Sequence, residues 1–339
     1  MRDLAREAGW WLLLAAVCGG LPAGRAEDLA PVPDPAPAPA VFAAYVTPVA
    51  EPWNAVIHAA LLEARDAGRI RYQWKDDLDT AEEQLDAVAA AAADKTDIVL
   101  ADAVDAADEL LALARRHPEV AFLIGGAERP QPPNVSVFDA DLVEPAYLCG
   151  LVAGKVTKSN VIGIVAGKHA AAVHRTVNAF LHGAREANPA VQAKVTFIDA
   201  WFDPPTARAA ALAPVAAGAD VIFAERAGAL AAAKETGVVA FGDMLDQHDE
   251  APGQVVTGTV WNMRPVVEHA VARVVAGEVP AEDLRRFCTL AEGGVDLAPW
   301  HGWEENLPAE VLQLVAERRA ALEAGTLTLG IPDTEPQAK

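Results

Sequence analysis

The sequence predicts an α/β protein of two doubly wound lobes, and three observations carry that expectation. Short, unbroken apolar strands alternate with helices along most of the chain. The alternation runs through twice, restarting at Asn160. At 339 residues the chain also exceeds the length of one ordinary domain.

In the first series, VFAAYVT (41–47) reads as a buried strand and the stretch from Pro52 to Ala67 as a helix. RIRYQW is a second strand, followed by an Ala/Glu/Asp-rich helix from about Thr80 to Ala93. DIVLAD, a helix over Asp105 to Arg116, and VAFLIG continue the pattern. SVFDA then leads into the helix EPAYLCGLVAGKV. In the second series, VIGIVAG precedes a helix from Ala172 to Ala187, and KVTFIDAW precedes one from Pro205 to Ala217. DVIFAE, a short helix to Glu235, VVAFG and QVVTGTV follow. Apolar strands of four to seven residues between helices belong to parallel sheets covered on both faces. WNMRPVVEHAVARVVAG reads as a closing helix, and the rest of the chain is expected to return to the first lobe. The boundaries are residues 41–158 plus about 262–330 for lobe 1 and 159–261 for lobe 2.

Ahead of the lobes, Arg2 and Arg6 precede an apolar run from Ala8 to Leu21, and Gly24-Arg25-Ala26 places small residues before a cut after Ala26. That is the pattern of a secretory signal over residues 1–26, since the run is shorter than the roughly 20 residues a spanning helix needs. Val17 before Cys18 disfavours a lipid anchor there, so a soluble periplasmic protein is expected. APVPDPAPAPA (30–40), within residues 27–40, is an extended tether, because alternate prolines remove amide donors and hold the backbone open. Cys149 and Cys288 are left in the exported chain, and whether they pair stays open.

Composition narrows the function. With 52% hydrophobic residues the chain has material for two cores, and a formal net charge of −21 repels phosphate backbones, which argues against nucleic-acid binding. No catalytic set assembles. Gly163 to His169 (GIVAGKH) has three residues between its glycines, and His follows the lysine, so it lacks the spacing and the hydroxyl of a phosphate loop. The first strand runs into Pro48 and Pro52, not into a glycine-rich dinucleotide turn. There is no Gly-x-Ser-x-Gly elbow, and the eight histidines are scattered without ligand spacing. Neither metal nor cofactor is expected. A nucleoside hydrolase would want clustered aspartates in the first loop, which EPWN does not supply.

The strand ends are where ligands bind in open α/β folds. Trp53 and Asn54 follow the first strand, Phe138 and Asp139 end the fifth, and Trp201, Phe202 and Asp203 end KVTFIDA. Glu225 ends DVIFA, Met244, Asp246 and Gln247 follow VVAFG, and Trp261 follows QVVTGTV. Ring faces sandwich a planar heterocycle, while carboxylates and amides satisfy its edges. Each residue also has a plain structural reading, such as Asp203 capping the helix that Pro204-Pro205 opens.

With these stretches in view, the sequence resembles the basic membrane protein family of ABC-transporter solute-binding proteins, which includes purine nucleoside receptors. The matching segments are EPWN (51–54), SVFDADLVEPAYLCGLVAG (136–154), TKSNVIGIVAG (157–167), NAFLHGAREANP (178–189), WFDPPTARAAA (201–211), AGADVIFAERAG (217–228) and DQ (246–247). The resemblance implies a type I periplasmic-binding-protein fold, ligand capture by hinge closure, a monomer, and an ABC permease in the inner membrane as partner. It matches Trp53 and Asn54 to the family's first-loop motif, Phe138 and Asp139 to its fifth-strand motif, and Trp201, Phe202, Asp203 and Asp246 to second-lobe positions. Two departures stand out: Trp261 falls where nucleoside receptors tend to carry a ribose-binding lysine, and the usual Gly-Val-Asp is shifted to Gly242-Asp243-Met244. Both point from a nucleoside towards a free purine base: adenine, hypoxanthine or guanine. A nucleoside receptor or a periplasmic ligand sensor of the same fold is the alternative.

Overall fold

A computed structural model of the chain describes residues 37–78, 80–103 and 106–337, and from Ala38 onward these form one compact unit. The signal segment, Cys18 and the tether up to residue 36 lie outside the described residues.

The first lobe is built from β1 (Ala40–Ala44), α1 (Pro52–Asp66), β2 (Arg71–Lys75), α2 (Ala81–Ala93), β3 (Ile98–Asp102), α3 (Ala107–Arg116), β4 (Ala121–Gly125) and β5 (Val135–Phe138). Its five strands are all parallel, in the order β2-β1-β3-β4-β5. The order starts in the middle and reverses once, which leaves a crevice beyond the strand ends at the reversal. β3, β4 and β5 are buried along their whole length, as unbroken apolar runs require, whereas the edge strand β2 buries only Tyr72. Helix starts are set locally. Glu51 accepts the Asn54 amide ahead of Pro52, and Thr80 forms a reciprocal capping box with Glu83 at the start of α2.

The second lobe comprises α4 (Val143–Val156), β6 (Val161–Ala166), α5 (Ala171–Ala187), β7 (Gln192–Phe197), α6 (Pro204–Ala216), β8 (Val221–Ala224), α7 (Ala229–Thr236), β9 (Val239–Gly242) and β10 (Val255–Trp261). Its strands β7-β6-β8-β9-β10 repeat the order of the first sheet. After β10 come α8 (Arg264–Val275), β11 (Val295–Leu297) and α9 (Ala309–Glu323).

Two features differ from the sequence expectation. α4, read from sequence as the last helix of lobe 1, packs along α5 of the second lobe and buries residues 145–154 without a break. The approach is close enough that a Cβ on Gly150 would lie 2.0 Å from the Phe180 carbonyl oxygen, and one on Gly183 would lie 2.1 Å from that of Tyr147. An apolar helix after a β-strand gives no hint of which sheet it covers, so its place in the chain order alone puts it in lobe 1. The C-terminal segment also divides. α8 packs on α1, with Arg264 paired to Glu63 and Arg69 to Glu268, as a return to the first lobe requires. β11, however, pairs antiparallel with β10, and α9 packs on α4, so residues 295–323 join the second sheet. Cys149 and Cys288 are both buried and free.

Candidate functional site

The carboxyl ends of both sheets carry a concentration of buried polar side chains that no core needs. Glu51, Asn54, Asp102, Glu225, Arg226, Asp243, Gln247 and Thr259 are all buried there. Buried ions demand partners, so their arrangement defines what the site can do.

On the first lobe, Trp53 stands in the first turn of α1 with its ring partly exposed. Its Nε1 donates to Asp102 Oδ1 across 3.0 Å, joining α1 to the end of β3. Phe138, the last residue of β5, lies beneath it at 5.9 Å between ring centroids and an interplanar angle of 20°. Trp261, from the end of β10 on the other sheet, completes the stack at 4.7 Å from Trp53 and 6.3 Å from Phe138. Three of the aromatic residues singled out in the sequence therefore meet. Phe138 and Trp261 are fully covered, which leaves the Trp53 ring as the accessible face of this group.

On the second lobe, Trp201 follows β7 and is likewise partly exposed. The Lys168 ammonium lies 5.6 Å and the Arg226 guanidinium 5.4 Å from its ring centroid. Glu225 holds Arg226 from the side, accepting from Nε at 2.9 Å and Nη2 at 2.6 Å, and also takes the Gly167 amide at 2.9 Å. Across the crevice, Glu51 Oε1 stands 3.7 Å from Arg226 Nη1, so residues of the two lobes form one ion pair. At the end of β9, Asp243 accepts from Thr259 Oγ1 at 2.7 Å, and the same hydroxyl accepts the Met244 amide at 2.9 Å. Gln247 buttresses this corner by accepting the Asp243 amide at 2.9 Å.

The electrostatics follow from burial. Asp102 is desolvated with only the Trp53 indole to stabilise its charge and with Glu51 and Asp139 nearby, so its pKa is pushed up to about 7. Asp243 is pushed up to about 8, first by desolvation and then by Glu225. Desolvation likewise raises Glu51, against the opposing pull of Arg226.

The remaining sequence-picked residues fall into other positions. Asn54 turns its amide inward, donating to the Thr47 carbonyl and hydroxyl, both at 2.8 Å, and so shapes the first loop; its Oδ1 is buried without a partner. Asp139 accepts its neighbour Ala140's amide at 2.9 Å, and its carbonyl accepts the Cys288 thiol at 2.7 Å. Asp203 caps α6 through the Thr206 amide at 3.1 Å, and Phe202 beside it is partly exposed. Met244 is buried with a left-handed φ of 67°. Asp246 points to the surface, where it pairs with His301 at 2.8 Å. Three site residues were passed over in the sequence, Glu51, Asp102 and Asp243, whereas Arg226 was noted beside Glu225 at the end of DVIFA. Each follows or ends an apolar strand, where a charged residue reads as a solvated loop position unless the opposite lobe covers it. Among the described residues no group of acids, histidines and cysteines could hold a metal ion.

Two lobes with facing strand ends, partly exposed ring faces and buried ions form a crevice of the kind that captures a ligand. The chain belongs to the family of PnrA-like ABC transporter substrate-binding proteins, whose model matches residues 49–323. That family is one of binding proteins, not of enzymes. A purine-binding protein of Brucella abortus (strain 2308) is 28% identical over 234 residues, covering 68% of this chain and 64% of that protein. A protein of Haloferax volcanii named for glucose binding in an ABC transporter is 35% identical over 187 residues, covering 52% of this chain and 46% of that protein. The chain thus matches less than two thirds of the length of either relative. The crystal structure of an ABC transporter solute-binding protein from Aeropyrum pernix K1 superposes with a TM-score of 0.74 at 17% identity, covering 87% of this chain and 94% of that one. This likeness bears out the type I periplasmic-binding-protein fold.

Proposed function

We propose that this chain captures a purine base (adenine, hypoxanthine or guanine) between its two lobes in the periplasm and delivers it to an ABC permease in the inner membrane. The observation that carries this reading is the pair of partly exposed indoles, Trp53 and Trp201, on opposite lobes beside the buried Glu51–Arg226 pair. Flat faces favour a flat ligand, and charged groups near them favour one with both donors and acceptors on its edge. The absence of a lysine at Trp261 and the covered state of that ring support a base without ribose. The Brucella relative's name agrees with this class of ligand, while the Haloferax relative's name makes glucose the competitor to test.

Binding drives the lobes together around the ligand, excludes water and creates the surface a permease reads. Among the described residues no helix is long and apolar enough to cross a membrane. The test is a thermal-shift screen of the chain from about Glu27 against purine bases, nucleosides, glucose and amino acids. A ligand at a hundredfold excess over its Kd stabilises by about 2.7 kcal/mol. Shifts confined to purine bases are expected. A shift with glucose alone overturns the purine assignment, and equal or larger shifts with inosine or adenosine overturn the free-base assignment.

A further inference from the structure

The guanidinium of Arg226 is satisfied on one side only. Glu225 takes Nε and Nη2 in a fork, and Glu225 is itself fixed by the Gly167 amide. Gly167 leaves the room this needs, since a Cβ there would lie 2.5 Å from Arg226 Nε. The Trp201 ring supports the guanidinium at 5.4 Å from its centroid. Only 6% of the side chain is exposed, yet Nη1 makes no hydrogen bond among the described residues. Its nearest carboxylate oxygen, on Glu51, is 3.7 Å away, too far for a hydrogen bond. Beside it, the Trp201 Nε1 is buried without a partner. Two unpaired donors beside one ring leave the second-lobe wall short of acceptors, and buried donors left unpaired are costly.

We propose that Arg226 is a specificity-determining residue that reads an acceptor edge of the ligand, so that 6-oxopurines are preferred over adenine. The inference rests on the purine reading above and narrows it. A planar guanidinium presents donors only. Hypoxanthine and guanine offer O6 and N7 side by side, both acceptors, which match an arginine fork. Adenine offers N7 beside an amino group whose hydrogens would face the guanidinium hydrogens. Because Glu225 locks the other side of Arg226, the guanidinium has little freedom to turn away from that clash.

The test is calorimetric titration of the wild-type chain with hypoxanthine, guanine and adenine, repeated with Arg226→Met and Arg226→Lys. The expected result is tighter binding of the 6-oxopurines by about 5- to 150-fold, the discrimination of one good arginine–base pair. Arg226→Met should bring the two classes to within a few-fold of each other, and Arg226→Lys should fall between, because a lysine keeps the charge but not the fork. Adenine binding as tightly as hypoxanthine in the wild type overturns this inference while leaving the purine reading intact. An undiminished preference in a folded Arg226→Met chain also overturns it. Glucose binding with no purine binding sinks the purine reading and this inference together. Should the variants not fold, the wild-type ligand series decides alone.

Discussion

Trp53 Nε1 and Asp102 Oδ1 stand 3.0 Å apart, and this hydrogen bond is the one polar stabilisation of a carboxyl group otherwise raised by its surroundings. The indole therefore does two things: it offers a ring face to the crevice and it holds an acid whose pKa is about 7. A partly exposed indole at the crevice and a titrating core acid are thereby coupled in one pair.

The first prediction concerns pH. Asp102 and Asp243 are raised from 3.8 to about 7 and about 8, so between pH 4 and these values the folded chain holds protons that the unfolded chain has released. Stability from these two acids is fully present below pH 3.8 and is lost as pH rises through 7 to 8. Glu51 and Asp139, raised in the same direction by desolvation, add to the slope. The facing charges on Asp243 are Glu225, Arg226 and Glu51; those on Asp102 are Glu51 and Asp139. Tm should fall from pH 5.5 to pH 8, and Asp243→Asn should flatten part of that fall. A Tm that rises over this interval contradicts the assignment.

The second prediction separates residues that face the ligand from those that shape the frame. Trp53→Ala and Trp201→Ala should each weaken ligand binding by about 1–3 kcal/mol, the cost of losing one stacking face. Asp203→Ala should lower Tm modestly through loss of the α6 cap and leave the affinity unchanged, because its carboxylate is committed to the Thr206 amide. Asp246→Ala should also leave affinity unchanged, since its partner is the surface residue His301. Titration calorimetry on the four variants checks all of these, and a tenfold loss in Asp203→Ala would move that residue into the site.

Much of the frame could be read from residues alone, for a physical reason. Apolar strands such as VIGIVA admit few alternatives, and strand ends carrying Trp53, Phe138 and Trp261 mark the crevice in any doubly wound fold. What sequence could not supply is pairing across distance. Whether Arg226 is solvated or buried depends on Glu225, Trp201 and the opposite-lobe Glu51 arriving together, and none of those separations is local except the first. The placement of α4 and β11 failed for a related reason: amphipathic or apolar segments state that they are buried, not against what.

The third prediction addresses the α4–α5 contact. Gly150 and Gly183 are held against backbone carbonyl oxygens, so an added methyl group cannot be relieved by a side-chain rotation. Overpacking of this kind costs about 1–3 kcal/mol where the neighbours can yield, and here the neighbours are helix backbone. Gly183→Ala should therefore lower Tm by several degrees at least, at about 2–4 °C per kcal/mol. Gly253→Ala, on the surface with no atom near its Cβ, is the matched control and should change little. Equal Tm values for the two variants would mean the helices pack less closely than described.

The last prediction isolates the pair that spans the lobes. Glu51 accepts the Asn54 amide at 3.2 Å as the cap of α1 and places its other oxygen 3.7 Å from Arg226 Nη1. Glu51→Gln keeps an oxygen for the cap and removes the charge that faces Arg226. Arg226 keeps its fork with Glu225, so the chain should still fold, and the loss falls on the attraction between the lobes. Charge pairs in such dry surroundings are screened far less by salt than surface pairs. In small-angle scattering the ligand-free Glu51→Gln chain should show a larger radius of gyration than the wild type, with saturating ligand restoring the wild-type value. Raising salt to 0.5 M should expand the wild type less than the substitution does. Identical scattering from both ligand-free chains would mean that Glu51 serves the helix cap alone and that closure is governed by the aromatic stack of Trp53, Phe138 and Trp261.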